Sequence, residues 1–237
     1  MATLEQVDAF RTNTSALVTL AQRDLLDFWR TLDTTDAAFA RIMLAEFYPD
    51  LVQTYGSTAA LLAADYYDEL RDVAPSAKRF RAVMDEPVDV EQAQSVARWG
   101  LGPIFSANPD PLAALTLITD ATQRLVLQPA RNTVVNSTFR DPVRTGFARV
   151  PSGTTTCAFC LMTASRGAVY SSKQAAGYGM NKFHTKCDCA VVPMRSEADV
   201  PEGYDPDALY EKYAAVHEPG MTAKETAAAL RSEYGIK

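Results

Sequence analysis

The sequence predicts a mainly α-helical protein with an N-terminal helical bundle or arm, a small α+β module stapled by zinc, and a C-terminal helix. Two observations predict this fold class. Apolar residues recur at helical spacing over most of the first 140 residues. All four cysteines and one of the two histidines fall between residues 157 and 189. We therefore predict a helical region at 1–140, a zinc-binding module at 141–200 and a helical tail at 201–237.

The first helix is predicted from residue 3 to about residue 32, with Thr3 as N-cap and Gln6 in the capping-box position. The polar run at 33–36 ends it and begins a second helix. That second helix is expected to end or kink at Tyr48, because Pro49 follows. Its apolar face is expected to carry Phe39, Ile42, Met43 and Phe47.

Three more helical segments are predicted before residue 140. They cover about 50–73, 89–105 and 111–128, and the last of them is expected to continue to residue 139 if it bends at Pro129. A helical bundle of this kind does not by itself predict an activity. The chain contains no GxxxxGK[ST], GxGxxG, GxSxG or HExxH sequence, so common phosphate, dinucleotide, serine-hydrolase and zinc-protease sites lack support.

The pattern changes after residue 140. Short strands are predicted at 146–150, 168–170 and 190–193, with one or two helical turns at 161–166 that stop at Gly167. Asp205 and Thr222 begin two final helical segments, of which the second is expected to be either a mobile tail or a docking helix.

Composition and charge limit the function further. The chain is 47% hydrophobic and 22% charged, as in an ordinary globular protein, and its net charge of −6 argues against non-specific coating of nucleic acid. No apolar run approaches the roughly 18 residues of a membrane span, so no membrane partner is expected. No secretory signal is visible at the start. We expect synthesis in a reducing cytoplasm, where clustered cysteines bind metal more often than they form disulfides.

The cysteine region offers five candidate metal donors, namely Cys157, Cys160, His184, Cys187 and Cys189. Thiolates and an imidazole at CxxC and HxxCxC spacing suit tetrahedral Zn²⁺. A module of about 50 residues usually needs a staple, and structural zinc, with apparent binding of roughly 10–16 kcal/mol in small peptides, is large enough to decide whether it folds. We predict a structural Zn²⁺ held by about four of these donors.

Two ligand sets remain open. In the first, Cys157 and Cys160 bind together with His184 and Cys187, and Cys189 stays outside the ligand set. In the second, Cys187 and Cys189 both bind, because side chains two residues apart share a face of an extended segment. His184 would then orient the site or lie outside it.

Other uses of these residues were weighed against zinc. A thioredoxin-like redox pair requires a βαβ context that the sequence lacks. Two disulfides would fit a protein that ends in an oxidising particle. A thiol-dependent enzyme with a Cys–His pair would need thiolates that zinc already occupies, and no Asn or Asp is evidently placed to orient His184. A zinc deaminase would need H-x-E before the CxxC, whereas His184 follows it.

Five segments of the cysteine region carry a family resemblance, namely Ala148–Gly153, Cys157–Met162, Ala164–Gly167, Val169–Tyr170 and His184–Cys189. Together they resemble the MuF-like minor capsid (head morphogenesis) proteins of tailed bacteriophages, especially those of actinobacterial phages. The resemblance covers about residues 145–195 well, and the helical region matches only in general character. The usual His-Pro of that family is His184-Thr185 here, which leaves every donor in place.

The resemblance implies a non-enzymatic virion component, present in few copies inside the phage head and assembled in the host cytoplasm. It implies association with the portal protein, with the major capsid or scaffold protein as a further candidate partner, and a role in head assembly, DNA packaging or DNA delivery. The alternative is a nucleic-acid-binding zinc module that contacts the packaged genome. Its support is a local excess of basic residues at Arg140, Arg144, Arg149, Arg166, Lys173, Lys182 and Lys186.

Overall fold

The computed structural model describes residues 3–72, 79–143, 146–151, 156–167, 187, 189–194 and 199–236. These parts of the chain form a mainly helical protein with one small sheet, as predicted. A 3-10 helix occupies Gly102–Phe105, where the sequence predicted the last part of an α-helix over 89–105. The other elements are, in chain order, α1 (Leu4–Thr31), α2 (Ala37–Asp72), α3 (Val90–Gly100), α4 (Pro111–Arg140), β1 (Gly146–Pro151), α5 (Ala158–Ala164), β2 (Cys189–Met194), α6 (Pro206–Ala214) and α7 (Ala223–Tyr234).

The start of α1 follows from local chemistry. Thr3 is extended and its side-chain oxygen accepts a hydrogen bond from the Gln6 backbone N–H, while the Gln6 side chain accepts one from the Thr3 N–H. This reciprocal pair satisfies two backbone donors that the first turn leaves open. The predicted capping box is therefore confirmed.

Helix α2 differs from its prediction in two ways. It continues through Pro49, so the predicted end or kink at Tyr48 and the separate third helix are both wrong. The buried stripe also lies one residue further along than predicted. Leu44 and Tyr48 are fully buried, whereas Phe39 and Ile42 are 46% and 55% exposed.

Both differences have a tertiary cause. Leu44 and Tyr48 pack in one apolar cluster with Leu25 of α1 and with Ile118 and Leu125 of α4. The sequence of α2 carries apolar residues on two neighbouring stripes, so the neighbours decide which stripe is buried. The free energy gained by packing α2 against two helices is also larger than the cost of the one backbone N–H donor that proline lacks.

Helices α2 and α4 approach each other closely at a glycine and a proline. A Cβ atom placed on Gly56 would lie 3.2 Å from Cγ of Pro129 and 3.4 Å from Cβ of Pro87. The glycine therefore makes room for two proline rings at the crossing. Helix α4 continues past Pro129 to Arg140, which confirms the longer of the two predicted versions of this helix.

A non-helical segment, the strap (residues 79–89), leads from α2 to α3 and is held on α4 by hydrogen bonds. The Asp85 N–H donates to Thr133 Oγ1 at 2.8 Å. The Asp85 carboxylate accepts from Asn132 Nδ2 at 2.8 Å and from Asn136 Nδ2 at 3.0 Å. These hydrogen bonds give partners to the polar side chains of Asn132, Thr133 and Asn136, which the strap covers on α4.

The two strands pair antiparallel, with Arg149 opposite Val191 and Pro151 opposite Cys189. Because alternate residues of a strand face the same side, Phe147, Arg149, Val191 and Cys189 share one face. Phe147 and Val191 join an apolar cluster with residues of α1, α2 and α4. This core crosses the predicted boundary at residue 140, and the division into folding units at 140 and 200 stays a prediction.

The C-terminal helices begin where the sequence predicted. Asp205 caps α6, and Thr222 caps α7 with a capping box to Glu225. Helix α7 packs on α5, with Leu230 fully buried against Leu161. Of the two predicted alternatives for this segment, the docking helix is the one observed.

Candidate metal centre

Three cysteine thiols meet at the edge of the sheet. Cys160 lies in the first turn of α5, Cys189 begins β2, and Cys187 precedes it by two residues. Their Sγ atoms all lie within 4.8 Å of one another, and those of Cys160 and Cys187 are 3.5 Å apart. All three side chains are buried. The fold therefore brings Cys160 together with Cys187 and Cys189, which are far from it in the sequence.

Cys157 packs against these three thiols and is half-buried. It is the N-cap of α5, and its Sγ accepts a hydrogen bond from the Cys160 backbone N–H at 3.3 Å. Among the described residues, the thiols that lie within 4.8 Å of one another are those of Cys160, Cys187 and Cys189, so Cys157 lies at the margin of this cluster.

The fifth predicted donor, His184, lies outside the described residues. The same holds for the strand predicted at 168–170 and for four of the basic residues counted around the module, Arg144, Lys173, Lys182 and Lys186. No disulfide joins any two of the four cysteines. The two-disulfide alternative is therefore not what this structure contains.

Two arginines are buried beside the thiols. Arg131 of α4 is 7% exposed and donates from Nη2 to the Cys187 carbonyl oxygen at 2.9 Å. Arg149 of β1 is 1% exposed, and its Nη2 lies 3.6 Å from the Cys187 Sγ. Its guanidinium also lies over the Phe159 ring, 5.5 Å from the centroid. Arg149 was counted among the basic residues that support the nucleic-acid alternative, but its buried side chain cannot contact nucleic acid in this structure.

The thiols and arginines influence one another electrostatically. The pKa of the Cys187 thiol is lowered by hydrogen bonds with Cys160 and Cys189 and further by the charges of Arg131 and Arg149. The pKa of Cys160 is raised by its hydrogen bonds with the neighbouring cysteines and by burial. The thiolate is the form of cysteine that binds metal. The cluster therefore favours at least one thiolate where a cation would bind.

The donors fit a tetrahedral zinc ion. With Zn–S bonds of about 2.3 Å, sulfur atoms at the corners of a tetrahedron lie about 3.8 Å apart. The 3.5 Å between Cys160 and Cys187 Sγ and the 4.8 Å limit on all three pairs bracket that value. Soft sulfur donors select zinc, copper(I) or iron–sulfur clusters over magnesium or calcium. The site is therefore compatible with metal binding.

A cavity of about 160 Å³ adjoins the site between α1, α4 and β2. Its polar lining includes Arg11 and Thr14 of α1 and Gln123 and Arg131 of α4, and Cys187 and Cys189 line it from the sheet side. The volume is several times that of a water molecule. The cavity therefore borders the thiol cluster on the side of α1 and α4.

These features define a mainly helical protein whose buried thiol cluster suits a structural metal. Comparison with known families identifies the family to which this protein belongs. The chain belongs to the VG15 protein family, whose model matches residues 1–216. Within the described residues, every helix is too short or too polar to span a lipid bilayer.

The relatives are phage proteins. The chain is 34% identical to the Gene 15 protein of Mycobacterium phage D29, over 41% of this chain and 45% of that protein. It is 30% identical to the Gene 15 protein of Mycobacterium phage L5, over 38% of this chain and 44% of that protein. The matches therefore cover less than half the length of these curated relatives. No solved structure matches the chain.

Sequence reasoning missed Arg131. The signal was present, because Arg131 lies close in sequence to the buried apolar residues Ala130, Val134 and Val135 of α4. A charged residue on a buried helix stripe needs a partner of opposite charge or a set of acceptors. That rule predicts a polar site facing α4 without identifying the cysteines as its content.

Proposed function

We propose that this chain is a non-enzymatic minor capsid (head morphogenesis) protein of the MuF-like type, associated with the portal protein inside the phage head. It would act in head assembly, DNA packaging or DNA delivery, with a structural zinc ion holding its cysteine region. The observation that carries the proposal is the buried cluster of Cys160, Cys187 and Cys189 in a chain of a phage protein family. The cluster lies within the motif region that resembles the MuF-like proteins.

A structural role for the metal is supported by burial. Cys160, Cys187 and Cys189 are at most 3% exposed. A catalytic zinc keeps one open position for water or substrate, whereas a structural zinc is enclosed by protein ligands. The burial of these thiols therefore supports a structural metal site and argues against a nucleophilic cysteine.

Docking on a protein partner is supported by exposed apolar side chains on the helical region. Trp99 at the end of α3, Phe105 in the 3-10 helix and Leu112 at the start of α4 are 61%, 50% and 73% exposed. Large exposed aromatic and aliphatic side chains are typical of protein interfaces, and tryptophan is enriched among the residues that dominate binding energy. We propose these three side chains, the apolar docking residues (Trp99, Phe105 and Leu112), as contacts for the portal protein.

The test is capture of the portal protein from the same phage by the tagged chain. We expect capture at a fixed ratio, and we expect Trp99→Ser to weaken it about tenfold or more. Tyr210→Ser is the matched control, because Tyr210 is 55% exposed but lies on α6. Absence of capture, or equal loss with both variants, would overturn the portal assignment. Salt-dependent retention on DNA without portal capture would support the nucleic-acid alternative instead.

The zinc component has its own test. Protein purified without added zinc should contain about one Zn²⁺ per chain by elemental analysis. A well-folded preparation without bound metal would remove the structural-zinc proposal, and it would leave the portal test unaffected.

A further inference from the structure

The cavity between α1, α4 and β2 has an apolar wall and a cationic side. The wall is made by six apolar residues, namely Phe10, Leu127, Ala130, Val134, Ala190 and Val191. Among the described residues that line the cavity, two are arginines, Arg11 and Arg131, and none is an aspartate or glutamate. A negatively charged group in the cavity would therefore be attracted by two guanidinium groups without meeting a lining carboxylate.

Arg11 offers a hydrogen-bond donor that the described part of the protein does not use. Its Nε atom is buried and has no hydrogen-bond partner there. Asp8 Oδ1 lies 3.6 Å from this Nε, which is beyond hydrogen-bond distance, so it balances part of the charge without accepting the N–H. A buried donor without an acceptor costs free energy, and a bound acceptor would recover that cost.

Two further side chains at the cavity have donors to spare. Gln123 of α4 and Ser15 of α1 line it, and their side chains make no hydrogen bond within the described residues. Arg131, in contrast, already donates to the Cys187 carbonyl and has further interactions. Direct contact with a ligand therefore falls to Arg11, Gln123 and Ser15, while Arg131 contributes a positive field from deeper in the protein.

The volume and the wall define the rest of the ligand. The cavity measures about 160 Å³, and an apolar protein cavity of about 150 Å³ binds benzene. Ser15 is exposed and the Arg11 side chain is 39% exposed, so the donors lie where the cavity reaches solvent. A ligand with an apolar body of about this size and a negative group at one end would fit both parts. Inorganic phosphate would match the charge but not the apolar wall.

We propose that this cavity binds a small organic carboxylate, with Arg11 as the residue that holds the carboxylate group. A guanidinium matches the planar geometry of a carboxylate and forms two parallel hydrogen bonds with it. The inference goes beyond the function proposed above. It does not depend on the metal centre either, because none of the three contacting side chains is a thiol.

The test is isothermal titration calorimetry of the full chain with benzoate, which has the required size and charge. We expect saturable binding at one site per chain. Benzamide has the same shape without the charge, and acetate has the charge without the ring, so each should bind at least about tenfold more weakly. Equal affinity for benzoate and either of these ligands would overturn the proposal, as would the absence of saturable benzoate binding.

The role of Arg11 has its own variant. Arg11→Gln should weaken benzoate binding about tenfold or more, because it removes a charge-assisted hydrogen bond. Arg23→Gln is the matched control, since Arg23 lies on the same helix, its side chain is 64% exposed and it does not line the cavity. Equal weakening in the two variants would show that benzoate responds only to surface charge, and it would contradict the assignment of Arg11.

Two further measurements keep the test decisive. If Arg11→Gln fails to fold, Gln123→Leu on α4 should weaken benzoate binding severalfold, and unchanged binding in that variant would count against the site. Zinc content should be the same in the unmodified chain, Arg11→Gln and Arg23→Gln. A chain without zinc that still binds benzoate would remove the metal centre and leave the carboxylate site standing.

Discussion

The helical region and the cysteine region are stabilised by different interactions. The helical region buries many large apolar side chains in two clusters shared by α1, α2 and α4. At about 25 cal/mol per Å² of apolar surface, burial on that scale stabilises long helices without further help. The cysteine region has a two-stranded sheet and a seven-residue helix, and the side chains that meet at its centre are thiols and arginines.

Because their stabilising interactions differ, the two regions should respond differently to substitutions. An apolar core loses stability in steps as side chains are trimmed. A site of buried charges depends on all of its members, because removing one leaves the others uncompensated. The two regions are also joined, since Phe147 and Val191 of the sheet pack into the helical core. Damage to the cysteine region should therefore weaken the helical region without unfolding it.

The largest effect is expected from the loss of a thiol ligand. Cys160→Ser should abolish zinc binding and remove the ordered structure of the cysteine region, because structural zinc contributes roughly 10–16 kcal/mol of apparent binding energy in small domains. Far-UV circular dichroism should retain most of its helical signal, while the midpoint of thermal unfolding falls. Treatment of the unmodified chain with a zinc chelator should give the same result.

Met162→Leu is the control for this prediction. Met162 lies on the same short helix and is 9% exposed, and a volume-conserving apolar exchange costs less than about 1.5 kcal/mol. If Cys160→Ser keeps full thermal stability, the cysteine region does not need its staple, and the contrast between the two regions disappears.

A smaller but still large effect is expected at the junction of the two regions. Arg71 Nε of α2 lies 2.6 Å from Asp141 Oδ2, and their side chains are 7% and 0% exposed. Tyr67 also donates to this carboxylate, at 3.2 Å. Asp141→Ala removes the carboxylate from a buried guanidinium, so it should lower the free energy of unfolding by about 3–5 kcal/mol in urea titrations.

An exposed pair of the same chemistry provides the comparison. Arg30 and Asp27 are 2.8 Å apart on α1, with side chains 67% and 58% exposed. Asp27→Ala should cost no more than about 1 kcal/mol, because water screens such pairs. Similar losses in the two variants would mean that burial does not set the value of the Arg71–Asp141 pair.

The smallest effect is expected inside the helical core, and it depends on pH. Burial raises the pKa of Tyr48 from 10.0 to about 12. Thr122 Oγ1 donates to the Ile118 carbonyl at 2.8 Å, so it accepts from the Tyr48 hydroxyl, 3.1 Å away. Tyr48→Phe should cost about 1 kcal/mol at neutral pH through this hydrogen bond.

The sign of the pH dependence follows from the raised pKa. The contribution of Tyr48 is fully present below pH 10, where both states are protonated. It is lost as the pH rises through about 12, since ionisation favours the unfolded chain. Tyr48→Phe should therefore flatten the alkaline decline in stability, and Tyr210→Phe, at an exposed position, should not. An unchanged alkaline profile in Tyr48→Phe would contradict the burial of a neutral hydroxyl.

Much of the fold could be predicted from the sequence because it depends on local chemistry. The capping box at Thr3 and the helix starts at Asp89, Asp205 and Thr222 each involve residues within one helical turn. Helix α5 differs from its prediction, because it spans Ala158–Ala164 instead of 161–166 and ends before Gly167. Strand β2 and the cysteine cluster could also be predicted from the sequence, because the spacing of metal ligands is a short-range pattern.

Other features depend on residues far apart in the chain, and only the tertiary structure decided them. Neighbouring helices chose the buried stripe of α2 and carried that helix through Pro49. The approach of α4 to the sheet placed Arg131 beside Cys187, a contact across 56 positions that no local pattern encodes. The sequence by itself determined which thiols are available and where most helices begin, because those choices are made within a few residues. Packing determined which charges accompany the thiols, because the cost of a buried charge exists only once the chain has folded around it.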